Sequence, residues 1–158
     1  MKKLFFGIII SLSLNLSSKT IAEEISGIAI ISDGDTIKIS NKKIRFHGVD
    51  APEKNQLCIK NSKEYRCGIA ATIALKKKIN KNLVKCLVKK NKDRYNRYIG
   101  ICFINKENLN KWMVRNGHAI AYRRYSKDYV SDEEYAKKNK LGLWSGNFLR
   151  PEKWRKLN

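Results

Sequence analysis

Apolar and polar residues alternate along the first third of the chain in a way that predicts short β-strands. Residues 28–31 form an apolar run that ends at the turn signal 32–35, and residues 36–39 then alternate between apolar and polar. The alternation returns over residues 44–47, after a polar break at 41–42. Because a period of two places alternate side chains on opposite faces of a strand, these segments predict a three-stranded meander.

A helix and a hairpin follow the meander. Gly68 begins an amphipathic stretch in which apolar residues recur at helical spacing and three lysines, 76–78, lie on the opposite side. Residues 83–88 and 99–104 have the pattern of strands and flank a turn-rich segment. A helix inserted between a meander and a hairpin is compatible with a small closed β-barrel.

Two further helices are predicted in the second half of the chain. One covers residues 109–115, and the other begins at a capping-box pattern at Ser131 and extends to about Lys140. Residues 119–122 have the pattern of one more short strand. Together the elements predict an α+β fold, a five-stranded OB-fold β-barrel with about three packed helices.

The first 22 residues have the layout of a secretory signal peptide. Two lysines precede a largely apolar run over residues 4–16, and small residues at 20–22 suit a cleavage site. A transmembrane anchor is the alternative, but a spanning helix needs about 20 apolar residues and this run is shorter. We therefore expect cleavage after Ala22, a folded domain over residues 23–158, a secreted or periplasmic location, and no stable membrane association after cleavage.

Composition narrows the class of partner. The 158 residues include 34 Lys plus Arg and 14 Asp plus Glu, which is a formal net charge of +20, and 42% of them are hydrophobic. That hydrophobic share supports a packed core and argues against wholesale disorder. The charge favours polyanions, namely nucleic acid, an anionic membrane surface or acidic glycans, although a Lys, Ile and Asn bias can also reflect codon composition.

The four cysteines of an exported protein point to disulfides rather than to a metal site. Three pairings are open. The predicted hairpin is centred near residue 94, which places Cys86 opposite Cys102 across the two strands. This register favours a Cys86–Cys102 bridge and leaves Cys58 and Cys67 to close a short loop.

Three polar segments lie where predicted strands end, at residues 33–36, 45–53 and 93–98. Taken singly, each has a simpler interpretation as a turn, the start of a loop or a solvated hairpin tip. The first is not an EF-hand loop, because Lys38 and Ile44 stand where that loop needs Gly and Glu. The strands concerned are expected neighbours in one barrel, so their combination indicates a site.

An ordered set of motifs connects these segments with the rest of the chain. The motifs are Asp33-Gly34-Asp35-Thr36, Gly48-Val49-Asp50-Ala51-Pro52-Glu53, Cys67-Gly68, Asp93-Arg94-Tyr95-Asn96-Arg97, Leu109-Asn110, Gly117-His118-Ala119, Gly142-Leu143-Trp144 and Pro151-Glu152-Lys153-Trp154-Arg155. In this order they resemble the thermonuclease family, the staphylococcal-nuclease-like nucleases, over about residues 26–155. The resemblance implies an OB-fold barrel with helices, which agrees with the hydrophobic pattern.

The resemblance also implies a Ca²⁺ ion. Its ligands would be the carboxylates of Asp35 and Asp50 and the backbone carbonyl of Ala51, a role that needs only the main chain of Ala51. Hard oxygen donors of this kind, completed by waters and a substrate phosphate oxygen, suit Ca²⁺.

The same resemblance assigns three catalytic residues. Glu53 matches the proposed general base, which orients or deprotonates a water for attack on phosphorus. Arg45 and Arg97 match the two arginines that hold the scissile phosphate, for which a forked guanidinium is well suited. The alternation of residues 44–47 supports Arg45, because Ile44 and Phe46 point to the other face of the strand.

Two tyrosines, Tyr95 and Tyr122, match positions that contact the nucleotide. The spacing from Tyr122 to Tyr125 departs from the tighter family pattern, so the sequence leaves open which second tyrosine lines the site. Asn96 replaces the usual glycine of the arginine loop, and asparagine tolerates the left-handed conformation better than most residues.

These residues predict a monomeric, exported, Ca²⁺-dependent endonuclease with little sequence specificity. Its partners would be single- or double-stranded DNA and RNA, and the resemblance implies products with 3′-phosphate ends. The alternative is a non-catalytic OB-fold module that binds nucleic acid, which would be expected to lack the metal or arginine positions. A cationic surface-active protein is a third hypothesis, but no sufficiently long basic amphipathic helix supports it.

Overall fold

The computed structural model describes residues 23–158, so the signal-peptide prediction for residues 1–22 lies outside the described residues. The strands are β1 (Glu23–Ile31), β2 (Thr36–Ile39), β3 (Lys42–Phe46), β4 (Val49–Asp50), β5 (Leu57–Lys60), β6 (Lys63–Arg66), β7 (Leu83–Val88), β8 (Tyr98–Ile104), β9 (Glu107–Asn108) and β10 (Ile120–Ala121). The helices are α1 (Cys67–Ile79), α2 (Leu109–Arg115), α3 (Val130–Lys138) and α4 (Pro151–Leu157), with a 3₁₀ turn at Gly142–Ser145. Within residues 23–158, no helix combines the length and the apolar character that a membrane span requires.

Five of the strands close into a barrel. Antiparallel pairing follows the order β3, β2, β1, β7 and β8, and a parallel pairing of β3 with β8 joins the two ends. This arrangement confirms the predicted α+β fold with a five-stranded OB-fold barrel. Helix α4, which the hydrophobic pattern did not predict, is a fourth helix beside the three that were expected.

Strand β1 is longer than its apolar pattern predicts, because it serves two partners. Residues 23–28 pair with β7, and residues 29–31 pair with β2. A Cβ on Gly27 would come within 2.7 Å of the Ile39 side chain. The missing side chain at Gly27 therefore lets β1 pass close to β2 where it changes partners.

The barrel interior takes the apolar residues that the alternation assigns to one face. The buried barrel side chains include Ile37, Ile39, Ile44, Phe46, Val84 and Val88. Helices α1 and α2 contribute Leu75 and Met113 to the same cluster. Because Ile44 and Phe46 point inward, Arg45 between them projects from the other face of β3.

Both disulfides that the sequence favoured are present. Cys86 lies opposite Cys102 in the β7–β8 register, and the bonded pair is fully buried in the barrel core. Cys58 in β5 is bonded to Cys67, the first residue of α1. The second bridge therefore attaches the β5–β6 hairpin to the start of α1.

Helix α3 begins one residue earlier than predicted and lacks the expected capping box. Its N-cap is Tyr129, which makes no side-chain cap hydrogen bond. Asp132 and Glu133 are buried and form ion pairs with Arg115 and Arg123. Glu134, the acid of the predicted capping box, contacts Arg123 and Lys137 instead of the helix start.

Candidate active site

Asp35 and Asp50 meet where β2, β3 and β4 converge. Asp35 immediately precedes β2, and its backbone carbonyl accepts a hydrogen bond of 2.8 Å from the N–H of Phe46 at the end of β3. Asp50 is the second residue of β4, where it pairs with Ile120 of β10. The two residues are 4% and 0% exposed, so two carboxylates lie below the surface of a strongly basic chain.

Arg45 bridges the two carboxylates. Its Nη1 lies 2.6 Å from Oδ1 of Asp35, and its Nη2 lies 3.2 Å from Oδ1 of Asp50. Nη2 also donates to the carbonyl of Val49 at 3.3 Å. Although burial alone would lower the pKa of the Arg45 guanidinium, the charges of Asp35 and Asp50 raise it, so Arg45 stays cationic.

Further donors hold the Asp35 carboxylate in place. The N–H of Ala51 donates to Oδ2 at 3.0 Å, and the hydroxyl of Thr36 donates to Oδ1 at 3.0 Å. Asp33 acts on the backbone, since its Oδ1 accepts from the N–H of Asp35 at 3.0 Å. The orientation of Asp35 is therefore set by the turn itself and by the first residue after β4.

Burial raises the pKa of two aspartates in this cluster. The pKa of Asp33 rises to about 6, and the charge of Asp35 adds to the effect of burial. Burial also raises the pKa of Asp50, although Arg155 and Arg45 act in the opposite direction. Both shifts follow mainly from burial, which disfavours the charged form of a carboxyl group.

Two buried carboxylates that face one position form a suitable donor set for a hard metal ion. Asp35 and Asp50 each direct an oxygen at the same Arg45 guanidinium, which is a cation between them. No group of three or more His, Cys, Asp or Glu side chains within residues 23–158 is arranged to hold a metal. The ligand set that the resemblance implies uses two carboxylates and the Ala51 carbonyl, and these residues fit a cation such as Ca²⁺.

Glu53 lies on the loop that follows β4, and its backbone is fixed more firmly than its side chain. Its N–H donates to the side-chain Oε1 of Gln56 at 3.2 Å, and its carbonyl accepts from the N–H of Gln56 at 2.8 Å. Its side chain remains 38% exposed and contacts Arg155, with 2.8 Å between Oε1 and Nη1. Glu53 thus carries a carboxylate that is accessible to water on a well-defined loop.

Helix α1 supports this loop by a close backbone approach at Gly68. A Cβ on Gly68 would lie 1.8 Å from the carbonyl oxygen of Glu53 and 3.0 Å from the Cα of Lys54. The adjacent Cys58–Cys67 bridge joins β5, which follows the Glu53 loop, to the first residue of α1. Gly68 is therefore required by packing against the Glu53 loop.

We expect Gly68→Ala to lower the free energy of unfolding by about 1–3 kcal/mol, the usual cost of overpacking. The sign is informative, because glycine to alanine in a helix ordinarily stabilises by up to about 1 kcal/mol. Urea unfolding followed by circular dichroism measures the difference. Ala70→Ser, an exposed addition in the same helix, is the control, and a Gly68→Ala protein as stable as the wild type would contradict the close approach.

Arg155 belongs to this cluster, although the sequence analysis assigned it no role. Its Nη1 lies 2.9 Å from Oδ1 of Asp50, and its Nη2 donates to Oδ2 of Asp50 at 3.2 Å. With its contact to Glu53, it joins two carboxylates that the sequence did identify. The motif over residues 151–155 was the available signal, but nothing in its spacing connects it with a loop 102 residues earlier.

Arg97 and Tyr95 lie together on the turn before β8. The Nε and Nη2 atoms of Arg97 contact Oδ2 of Asp93 at 2.9 and 2.7 Å, and the guanidinium lies 5.1 Å from the Tyr95 ring centre. Asn96 adopts a φ of +60°, the left-handed conformation that its residue type allows. Within residues 23–158, the hydrogen bonds and ion pairs of the Arg97 side chain go to Asp93 and not to the Asp35 and Asp50 carboxylates.

The parallel strand pairing nevertheless brings the turn that carries Arg97 close to β3, the strand that carries Arg45. Ile44 pairs with Tyr98, which directly follows Arg97, and Arg45 pairs with Ile99. The turn before β8 therefore lies beside β3. The turn with Tyr95, which is 62% exposed, therefore forms one margin of the candidate site.

The ring of Tyr122 lies near the guanidinium groups of two arginines in the cluster, Arg45 and Arg155. Its ring centre is 6.0 Å from the guanidinium carbon of Arg45 and 5.9 Å from that of Arg155. Tyr125 packs edge-on against Tyr122, with 4.7 Å between ring centres, and is 62% exposed. Of the two tyrosines, Tyr122 is thus the one that faces the arginines and carboxylates, and Tyr125 extends the aromatic surface outward.

Comparison with known proteins identifies the family of this chain. Residues 43–146 match the family described as staphylococcal nuclease homologue. An uncharacterized endonuclease of Haemophilus influenzae is 35% identical over 134 residues, which cover 80% of this chain and 70% of that protein. The succinoglycan biosynthesis protein ExoI of Rhizobium meliloti is 34% identical over 126 residues, covering 78% and 66% of the two chains. The micrococcal nuclease of Shigella flexneri is 29% identical over 146 residues, covering 81% and 78%.

The family match and the curated relatives agree with the fold. The matched region begins in β3 and ends just after the 3₁₀ turn, so it contains Arg45, Asp50, Glu53 and Arg97. It covers well over half of the chain. This chain therefore belongs to the staphylococcal nuclease family, a family of nucleases.

Proposed function

We propose that this chain is an exported, Ca²⁺-dependent endonuclease. It hydrolyses phosphodiester bonds of DNA and RNA with little sequence specificity and leaves 3′-phosphate ends. The observation that carries the proposal is the ion-paired cluster of Asp35, Asp50, Arg45 and Glu53, in which Arg45 spans the two aspartates and Arg155 links Asp50 to Glu53. Ligands for a cation, a base and a phosphate-binding arginine thus lie within one site.

Asp35, Asp50 and the Ala51 carbonyl would hold the Ca²⁺ ion. Bound there, the cation neutralises charge that develops on the phosphate oxygens during displacement. The hydrogen bonds from Ala51 and Thr36 to Asp35 hold that carboxylate in its orientation beside Asp50. The backbone of Ala51 therefore serves the site twice, as a donor to Asp35 and as a proposed carbonyl ligand.

The remaining residues perform the displacement. Glu53 takes a proton from a water whose oxygen bonds to phosphorus, the bond from phosphorus to the 5′ oxygen breaks, and that oxygen takes a proton from solvent to leave as a hydroxyl, so the phosphate stays on the 3′ side. Arg45 and Arg97 hold the non-bridging oxygens and stabilise the added charge of the five-coordinate transition state. Glu53 suits the role of base because its side chain is both anchored and partly open to water.

Binding of the rest of the substrate rests on charge and stacking. The net charge of +20 attracts phosphates without reading the base sequence, which supports low specificity. Tyr95 lies beside Arg97 and Tyr122 lies beside Arg45, where a ring can pack on a base or a hydroxyl can meet phosphate. We infer that the enzyme acts as a monomer.

Export rests on the charged and apolar layout of residues 1–22 and on the two disulfides. Disulfides persist in oxidising compartments and are rare in the cytosol. We infer that the protein is secreted or periplasmic and does not remain attached to the membrane after cleavage.

Removal of calcium tests the proposal directly. The purified protein should degrade single-stranded DNA in the presence of Ca²⁺, lose that activity in EDTA, and recover it when excess Ca²⁺ is added. The physical reason is that Ca²⁺ would supply the charge that neutralises the phosphate oxygens, whereas the carboxylates of Asp35 and Asp50 alone would repel them. Gel electrophoresis of the substrate measures the result, with RNA as a second substrate and end-group analysis of the products.

Two outcomes would contradict this proposal. Undiminished cleavage in EDTA would exclude the metal-dependent mechanism. Salt-dependent DNA binding without any turnover, in the presence of Ca²⁺, would instead indicate the non-catalytic OB-fold module.

A further inference from the structure

The C-terminal helix contributes a guanidinium to the centre of the candidate site. Arg155 of α4 contacts both oxygens of Asp50, at 2.9 and 3.2 Å, and Oε1 of Glu53 at 2.8 Å. Asp50 already has Arg45 as a partner, whereas the hydrogen bonds and ion pairs of the Glu53 carboxylate within residues 23–158 go to Arg155. The orientation of the Glu53 side chain therefore depends on a residue from the far end of the chain.

The segment before α4 is tied to the Glu53 loop by buried hydrogen bonds. Gln56, which is 0% exposed, donates from Nε2 to the carbonyl of Leu149 at 2.7 Å while its Oε1 accepts from the N–H of Glu53. One amide thus links the loop to the C-terminal segment. Asn147 and Ile59 exchange two backbone hydrogen bonds of 2.8 Å, which adds a second attachment.

A third attachment fixes the start of α4. Arg150, the N-cap residue of that helix, lies with its Nη2 3.7 Å from Oε1 of the fully buried Glu133. Pro151 is buried at the first helical position, where a fixed φ favours helix initiation. The helix is therefore held from both its preceding segment and its first turn, and Arg155 lies one turn further on.

We propose that Arg155 is a positioning residue that holds the Glu53 carboxylate in its working orientation. This inference rests on the proposed function, since it concerns the base of that reaction. A guanidinium presents two parallel donors in a fixed plane, and here one side chain engages Asp50 with both while also reaching Glu53. Because Asp50 is fully buried, contact with it holds the guanidinium of Arg155 in place, and that guanidinium in turn orients the Glu53 carboxylate.

The position of Arg155 has a second consequence for the cation site. Its positive charge lies against Asp50, one of the two proposed Ca²⁺ ligands, and like charges in a partly buried site repel. Arg155 therefore improves the geometry of the base while opposing the cation. Removal of Arg155 should therefore lower kcat and raise the affinity for Ca²⁺. Loss of a merely structural residue would not change the two quantities in opposite directions.

The test compares wild-type protein with Arg155→Gln, Arg155→Lys and the exposed neighbour Lys156→Gln, which removes the same charge from the same helix. We expect Arg155→Gln to lower kcat for single-stranded DNA by about 10- to 100-fold, the range that misplacement of a reacting group can cost, with KM changed by less than about threefold. Calorimetric titration with CaCl₂ without DNA should give roughly three- to tenfold tighter binding. Arg155→Lys should have an intermediate kcat, and Lys156→Gln should match the wild type in both measurements.

A double-mutant cycle separates action through Glu53 from other roles. In a Glu53→Gln background, Arg155→Gln should lower kcat by less than about twofold more, because the group that it positions is already gone. If the double variant loses kcat by the full product of the two single-variant losses, the proposal is overturned. A rise in KM without a fall in kcat, or weaker Ca²⁺ binding, in Arg155→Gln would also overturn it. Loss of cooperative unfolding in both Arg155 variants would also overturn it, since Arg155 would then be structural. If Glu53→Gln alone keeps wild-type activity, the proposed function fails instead, at its assignment of the base.

Discussion

Glu53→Gln is expected to lower kcat for DNA cleavage by about 10²- to 10⁴-fold, the usual contribution of a general base. The substitution keeps the size of the side chain and an oxygen that can accept from Arg155, but an amide does not take a proton from water. The loop should keep its geometry, because the backbone of Glu53 is held by Gln56 rather than by its own side chain. Initial rates at saturating DNA and Ca²⁺ measure the effect.

The matched control is Glu64→Gln, an exposed residue of β6 that undergoes the same change of charge. It should retain wild-type kcat. Adding Arg97→Ala to the Glu53 variant should lower activity further, since Arg97 supplies charge to the phosphate rather than acting through the base. Full activity in a combined Glu53→Ala and Arg97→Ala protein would contradict the mechanism.

The paired change Cys86→Ala and Cys102→Ala is expected to lower the free energy of unfolding by about 3–5 kcal/mol. The bridge closes a loop with a sequence separation of 16, worth about 3 kcal/mol in chain entropy. Both sulfur atoms lie in the fully buried core, so their removal also leaves a void of about methyl size, which costs roughly 1 kcal/mol or more. Such a loss is a large part of the total stability of about 5–15 kcal/mol that a domain has.

Urea unfolding at equilibrium measures this loss, with Cys58→Ala and Cys67→Ala as the comparison pair. That bridge closes a loop with a sequence separation of 9 and lies outside the barrel. The paired substitution should lower the free energy of unfolding by about 2–3 kcal/mol. Equal stability of the Cys86 and Cys102 variant and the wild type would contradict a stabilising role for the core bridge.

Much of the barrel could be predicted, because its information is local. The two-residue alternation in β2 and β3 sets which side chains are inside, and it places Arg45 outside between Ile44 and Phe46. The centre of the hairpin sets the register that pairs Cys86 with Cys102. Neighbouring antiparallel strands joined by short turns leave few alternatives, so pattern and spacing suffice for these elements.

Other elements escaped prediction because they depend on distant partners. The first residues of β1 pair with β7, but of residues 23–28 only Ile25 is buried, so no apolar run marks this part of the strand. Helix α4 is short, and its buried residue is Pro151. Helix α3 had the pattern of a local cap at Ser131, but Glu134, the acid of that pattern, contacts Arg123 and Lys137 instead.

The sequence by itself determined the barrel alternation, one favoured disulfide register, and a family resemblance that singled out Asp35, Asp50, Glu53 and two arginines. Only the tertiary structure decided that Arg155 joins Asp50 to Glu53 and that Gln56 ties the Glu53 loop to the C-terminal segment. The physical reason is the range of the interactions. Strand faces and hairpin registers follow from neighbours a few residues away, whereas an ion pair across 102 residues exists only after the chain has folded.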